Sequence, residues 1–556
     1  MTPPPAAEGQ ARTGLSASNA HLHEPSEVQQ PTATPAPGAS YLGNSGILQI
    51  FARDSQRIAA SDPGSTMPVF TGIENDLPPP ELQQSFADTY FDWCWPWCPV
   101  LDKATFWQNS DTTISPLLIN ALALLGTQVR PPIMRHATAA EYYNRAKMLF
   151  YMDQDSNPIV CLQAIMLFYW WAPRGPSQVH KDAAWWWTGI AIKYAQQAGL
   201  HREPKNVQDV GGEVIQGLRR RIWWTLFARE RLTAICQGRP CSINPEDCDV
   251  REPSIDDFGP PQSRDPRAEI FVHWVRLCGI IGRVGQHLSR HPEQAAFPAT
   301  LAEELVNWVR NLPPHLGLSN MSDRVRTFDR DVLALHLPYL TTVTILHLNW
   351  SSQHPSQPWP EAYTAAVLSA SCVTRIFKDF LARGEIRFLG AISSWHVAVA
   401  IVALLYTQRV EGLAESGAED IRILKLALSE LARLWPTTEI FVKGFDRLKA
   451  FENLRSGRPD FESTASATDH PTTSSTVSDV DWFHGIDWRS YFPQITVQTS
   501  GLAAILLAGQ TNEGLWDDMS WLADPTVHFQ NLFDITDAAL DPFMENLSAL
   551  TGWEIE

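Results

Sequence analysis

Two cysteines four residues apart, in YFDWCWPWCPVLDKATF (90–106), are the first residues whose type and spacing suit chemistry. On a helix Cys94 and Cys98 share one face and offer two soft thiolate ligands. A structural zinc needs four ligands, and no second pair stands at zinc-finger spacing. Cys236, Cys241 and Cys248 form a looser group, but Pro240 and Pro245 place it on extended chain after a helix. The eight cysteines are scattered over 556 residues, which is the usage of a reducing compartment and not of a disulfide scaffold. Each is expected to be a small buried hydrophobe, and no metal is expected on them.

Other catalytic constellations are missing. The chain has no GxGxxG or GKS/T phosphate loop, no GxSxG elbow and no HExxH helix. A helical, Trp-rich chain invites comparison with a terpene cyclase, whose metal sits on an aspartate-rich helix. The nearest match, WDDMSWLAD (516–524), lacks the third aspartate at the right spacing and has no second metal motif. An enzyme with a Trp-lined pocket is the rival from another class, and it has no visible acid/base pair to carry it. The basic run RRRIWW (219–224) raises nucleic-acid binding. Its helix is amphipathic, with Ile222, Trp223, Leu226, Phe227 and Leu232 inward and the arginines on the flank. Glu230 stands beside Arg229 and Arg231 for local pairing, so the run reads as a solvated or salt-bridged face.

The elements that must position these residues are helical. Apolar residues make up 44% of the chain and charged residues 19%, with 22 Trp and 24 Phe as bulky core material. From Pro78 to Phe451 apolar residues recur at spacings of three and four, as in SPLLINALALLGTQV (115–129) and VIQGLRRRIWWTLFARERLTAICQGRP (214–240). Gly199 and Gly238 mark helix ends. No strand alternation and no repeat of fixed period is seen. No stretch reaches the roughly 18 apolar residues of a membrane span; the best candidate, Val397–Tyr406, reads as a buried helix, and no membrane partner is expected. Residues 1–77, rich in Pro, Ala and Ser, are expected to be disordered. A helical domain at 78–455, a Ser/Thr linker at 456–480 and an acidic aromatic tail at 481–556 complete the division. The net charge of −18 sits at the ends: residues 1–102 hold eleven acids against three arginines and no lysine, and 490–556 hold ten acids and no base. The body between is neutral, with no broad field to attract phosphates.

RRRIWWTLFARERLTAICQGRPCSINPEDCDVREP (219–253) resembles the signature of the fungal-specific transcription factor domain, the middle homology region of binuclear zinc-cluster regulators. Arg220, Arg221, Ile222, Trp223, Trp224, Arg231, Gly238, Arg239 and Pro240 match; Glu230 stands where the family usually has Asp. The opening stretch is similar to the region's first motif through Tyr90, Phe91, Pro96, Pro99, Leu101 and Phe106, with Trp95 replacing a common His. WWWTGIAIKYAQQAGLHREP (185–204) and LHLPYLTTVTILHLNW (335–350) look like its later motifs. The wording is nearest the branch of the cutinase transcription factors, and the resemblance spans about 85–400.

That resemblance implies an all-α multi-helix domain in a nuclear transcription regulator, an activator of a fungal metabolic or secondary-metabolite gene set. It implies coactivators as partners, a homodimer or a heterodimer with a DNA-binding regulator, and a small-molecule effector. The family's six-cysteine zinc cluster lies N-terminal to this domain, whereas residues 1–93 contain no cysteine and no lysine. Zinc is therefore not expected as a cofactor, and contact with DNA is direct or through a partner; a partner-dependent or inhibitory regulator is the alternative. In the tail, acids are interleaved with Trp516, Trp521 and Phe533. Asp537–Leu550 can form a short amphipathic helix with Leu540, Phe543, Leu547 and Leu550 on one side. This face either docks in a coactivator groove or packs back on the domain.

Overall fold

In the computed structural model, the described residues are 77–445, apart from 104–105, 107–113, 154, 178, 205–211, 291–296, 319–327, 354–358 and 410, together with 491–492, 495 and 501–509. The tract expected to be disordered (1–77, save its last residue), the Ser/Thr linker 456–480 and the tail residues Trp516, Trp521, Phe533, Phe543 and Leu547 lie outside them. Among the described residues there are helices and turns and no strand, which is the all-α fold expected.

Helix α1 (Pro80–Thr89) opens the body with proline at its first position, where the missing N–H costs nothing. α2 (Pro116–Val129) packs on α1 and on α3 (Ala139–Tyr151). α3 is started by a capping box: Thr138 Oγ1 accepts from the Glu141 N–H at 3.2 Å while Glu141 accepts from the Thr138 N–H at 2.7 Å. α4 (Pro158–Leu167) is capped by Asn157, whose side chain accepts from the Ile159 N–H. α5 (Ala184–Gln197), α6 (Glu213–Gln237), α7 (Ala268–Arg290) and α8 (Ala299–Arg310) then stack in chain order, each on the one before.

The second half is a tight set of four: α9 (Arg330–Gln353), α10 (Trp359–Arg383), α11 (Ser393–Leu405) and α12 (Glu411–Leu434). α7 contacts α9 and joins the halves into one continuous core. α9 departs from the sequence expectation. Arg330–Asn349 is long and apolar enough, by length and composition, to cross a membrane, with a mean hydropathy of 1.3. Its window is 94% buried inside the protein, so it is a core helix wrapped by its neighbours. Two of its threonines bond back to the helix: Thr342 Oγ1 donates to the Pro338 carbonyl at 2.7 Å and Thr344 Oγ1 to the Leu340 carbonyl at 2.9 Å.

A further difference concerns the tail assigned to 481–556. Tyr491, Phe492 and Ile495 are buried, and the Tyr339 hydroxyl donates to the Tyr491 carbonyl at 2.8 Å. α13 (Gly501–Gly509) buries Leu502, Ala503, Leu506 and Leu507 against α10 and α12. An all-round apolar helix of this kind is more stable covered than in water. The body thus regains the chain after the linker.

Packing between α1 and α2 leaves no room at Gly126, where an added β-carbon would stand 3.0 Å from Phe86 Cα. Gly126→Ala is expected to lower the unfolding free energy by about 1–3 kcal/mol through overpacking, read as a lower urea midpoint at unchanged m.

Candidate functional site

The entry motif is built around one phenol. After α1 the backbone widens, with the Trp95 N–H bonded to the Tyr90 carbonyl five residues back, and a tight turn covers Trp95–Trp97. The Tyr90 hydroxyl donates to the Cys98 carbonyl at 2.7 Å and accepts from the Val100 and Leu101 N–H groups at 3.1 Å each. Trp95 Nε1 donates to the Leu101 carbonyl at 2.9 Å. Phe91 meets Phe106 edge-on at 5.9 Å, and Pro96 and Pro99 are buried within the loop. Burial pushes the Cys94 and Cys98 thiols up, so both stay protonated. Among the described residues, no group of three or more His, Cys, Asp or Glu is placed to hold a metal ion.

α6 clasps this motif and everything around it with its arginines. Of the two readings, a solvated or a salt-bridged face, the second holds: Arg220, Arg221 and Arg231 are ion-paired. Arg221, Arg229 and Arg231 are at most 3% exposed, because α6 is covered by α5, α7 and the entry motif together. Arg219 donates to the carbonyls of Ala198 and Gly199, closing the C-terminus of α5. Arg220 grips Glu203 with Nε at 2.7 Å and Nη2 at 3.0 Å, and reaches Asp257 at 2.8 Å. Arg251 also bonds Asp257 at 2.8 Å. Burial pushes the Glu203 carboxyl up, but the bonds from Arg220 and the Arg251 N–H outweigh it and hold it below the usual range. Arg221 donates to the Pro99 carbonyl and to Asp102, both at 2.8 Å. Arg231 bonds the Ile243 carbonyl at 2.7 Å and Glu230 at 3.3 Å, while Glu230 accepts from the N–H groups of Ser242 and Ile243. Trp223 is buried; Trp224, at the edge, donates to the Arg251 carbonyl at 2.7 Å. Gly238 at φ 62° ends α6 in the left-handed conformation, Arg239 turns back to the Pro176 carbonyl at 3.2 Å, and Pro240 emerges at the surface.

One arginine of α6 is different. Arg229 donates through Nη1 to the Met166 carbonyl at 2.6 Å and stacks over Tyr169 and Trp170, 4.4 and 4.9 Å from the ring centroids. It lines an aromatic cleft of about 710 Å³, counting its open mouth, with Trp93, Trp97, Trp170, Trp274, Phe388 and His396. Trp93 lies flat on Phe388 at 3.5 Å, and Trp97 meets Trp274 edge-on at 5.7 Å. His396 shares a 2.8 Å hydrogen bond with Thr341, and burial lowers it to about 3, so it is neutral. The sequence pattern passed over Arg229 as a partner of Glu230 and gave no sign of the cleft, whose walls come from the entry motif, α6, α7, α9 and α11.

Residues 87–297 match the family described as the fungal specific transcription factor domain. The chain is 27% identical over 390 residues to cutinase transcription factor 1 alpha of Fusarium vanettenii, covering 65% of this chain and 42% of that protein. It is 27% identical over 420 residues to the acetamidase regulatory protein of Aspergillus oryzae, covering 72% and 53%. Cutinase transcription factor 1 beta of Fusarium vanettenii matches at 29% over 196 residues, 33% of this chain and 22% of that one. The chain therefore spans about half or less of the length of the curated relatives it matches. No solved structure matches it. The entry motif and the arginine clasp of α6 both fall inside 87–297, the segment that matches the fungal specific transcription factor domain, and the chain is similar to the cutinase transcription factors.

Proposed function

We propose that the chain is a nuclear regulator of transcription, an activator acting on a fungal metabolic or secondary-metabolite gene set. The observation that carries the reading is the match of 87–297 to a transcription factor domain, with relatives named as regulators of cutinase and acetamidase genes. The helical body, 78–455 together with 491–509, is the regulatory part. The acidic aromatic segment beyond α13, with Trp516, Trp521, Phe533, Phe543 and Leu547, recruits coactivators. The arginines of α6 are committed to carbonyls and carboxylates inside the body, so this helix is not the element that reads DNA.

The test fuses the full chain to a heterologous DNA-binding domain and reads a reporter. The fusion is expected to activate strongly. A fusion ending after α13 at residue 510, or one with those five residues changed to alanine, is expected to lose most of the signal. Equal activation by the shortened fusion would remove the tail's role, and silence of the full fusion would remove the activator reading.

A further inference from the structure

We infer that the aromatic cleft between the entry motif and α6, α7, α9 and α11 binds a small monocarboxylate with a flat apolar body, its carboxylate paired with Arg229. This deepens the proposed regulatory role of the helical body and rests on it only for what binding would control.

Charge balance inside α6 is the first argument. Arg220, Arg221 and Arg231 each hold a carboxylate, at 2.7, 2.8 and 3.3 Å. Arg229 is as deeply buried, at 3% exposure, yet among the described residues it has no carboxylate within ion-pair distance, and its Nη2 has no hydrogen-bond partner. Arg221 also leaves one N–H unbonded but has its carboxylate; among the described residues Arg229 has neither a carboxylate nor an oxygen acceptor on Nη2, so a buried charge there is balanced only by an anion from outside the chain. Tyr169 and Trp170 soften the charge through their ring faces but supply no lone pair in the guanidinium plane. The Cys98 thiol hydrogen-bonds the Arg229 guanidinium but, held neutral by burial, is only a weak acceptor and brings no balancing charge, and neutral His396 brings no competing cation.

Shape is the second argument. The enclosed part of the cleft is about 90 Å³, small beside the roughly 300–1,000 Å³ of drug-sized sites, so it takes a compact ligand whose remainder lies in the open mouth. Its walls are the faces and edges of Trp93, Trp97, Trp274 and Phe388, which favour a planar apolar body over a sugar or a phosphate ester. One cation at an aromatic slot selects one negative charge.

Isothermal titration of the purified full chain with naphthalene-2-carboxylate and with naphthalene-2-carboxamide tests this. The carboxylate is expected to bind about tenfold or more tightly than the amide, because a hydrogen bond between two charged groups is the stronger. Arg229→Gln should erase the preference and Arg229→Lys should keep part of it. If Arg229→Gln fails to fold by circular dichroism, Trp97→Ala serves instead: it should weaken both ligands alike and leave their ratio unchanged. Equal affinity of the two ligands, binding of neither to folded protein, or a preference that survives Arg229→Gln would overturn the proposal. Binding is read without transcription, so failure here leaves the reporter reading standing, and failure of the reporter leaves the cleft standing.

Discussion

Replacing Arg221 with methionine is expected to destabilise the helical body by about 3 kcal/mol, the scale for removing one partner from a buried ion pair. The side chain is 1% exposed and lies 119 residues from Asp102 in sequence, so it ties α6 to the entry motif across the fold. Its two hydrogen bonds, to the Pro99 carbonyl and to Asp102, divide the roles: one satisfies a buried backbone acceptor and the other balances charge. Methionine fills the same apolar volume beside Phe258 but takes the donor from the Pro99 carbonyl and the countercharge from Asp102. Lysine keeps the charge but cannot present the planar fork, and is expected to recover less than half of the loss. Urea unfolding followed by tryptophan fluorescence measures the change. A double-mutant cycle with Asp102→Asn isolates the ionic part, expected at about 1–2 kcal/mol. A loss below about 0.5 kcal/mol for Arg221→Met, the size of an ordinary surface change, would show that the clasp is dispensable.

Why this clasp was only half legible follows from its parts. The period of α6 correctly turns Ile222, Trp223, Leu226, Phe227 and Leu232 inward, since all five are buried. Helix ends at Gly199 and Gly238 were readable because both glycines take positive φ, 70° and 62°, as helix-ending positions ask. The burial of the arginines was not readable because a helical period assumes one wet face, and α6 has almost none. Their acceptors, Asp102, Pro99, Glu203 and Asp257, sit on loops up to 122 residues away, where no local spacing connects them. Local pairing was expected for Glu230 with both neighbours. Arg231 takes that contact, but Arg229 turns to the Met166 carbonyl instead. The cleft was illegible for the same reason: Trp97, Arg229, Trp274 and His396 come from four separate elements. α13 carries no helical period, and its place in the core shows only when α10 and α12 are beside it.

Acidification should unfold the body steeply, with a loss of about 3 kcal/mol per pH unit between roughly pH 6 and 4. Three histidines set the sign. Burial lowers His336 to about 4 and His347 and His396 to about 3. In the unfolded chain each titrates near 6.5. Above that value all three are neutral in both states and cost nothing. As pH falls below it, the unfolded chain takes up three protons that the folded chain refuses, at about 1.4 kcal/mol per proton per pH unit. One carboxyl works in the opposite direction. Burial raises Asp420 to about 7, so the folded state already holds a proton there that the unfolded state binds only near pH 4. The balance is two protons. Asp331, also raised by burial, softens the slope, whereas His180 and His273, lowered by burial, steepen it. Depressed carboxyls such as Glu203 and Asp265 add their loss only below about pH 4.5, their unfolded range. Urea midpoints at half-unit steps from pH 7.5 to 4.5 read the slope. His347→Leu should flatten it by about 1.4 kcal/mol per pH unit, since one titrating group is gone. His347 packs 5.7 Å from the Tyr491 ring, so the first signal lost on acidification should come from the returning 491–509 segment. A stability that stays level from pH 7 to 5 would mean that these imidazoles are not held neutral by the core.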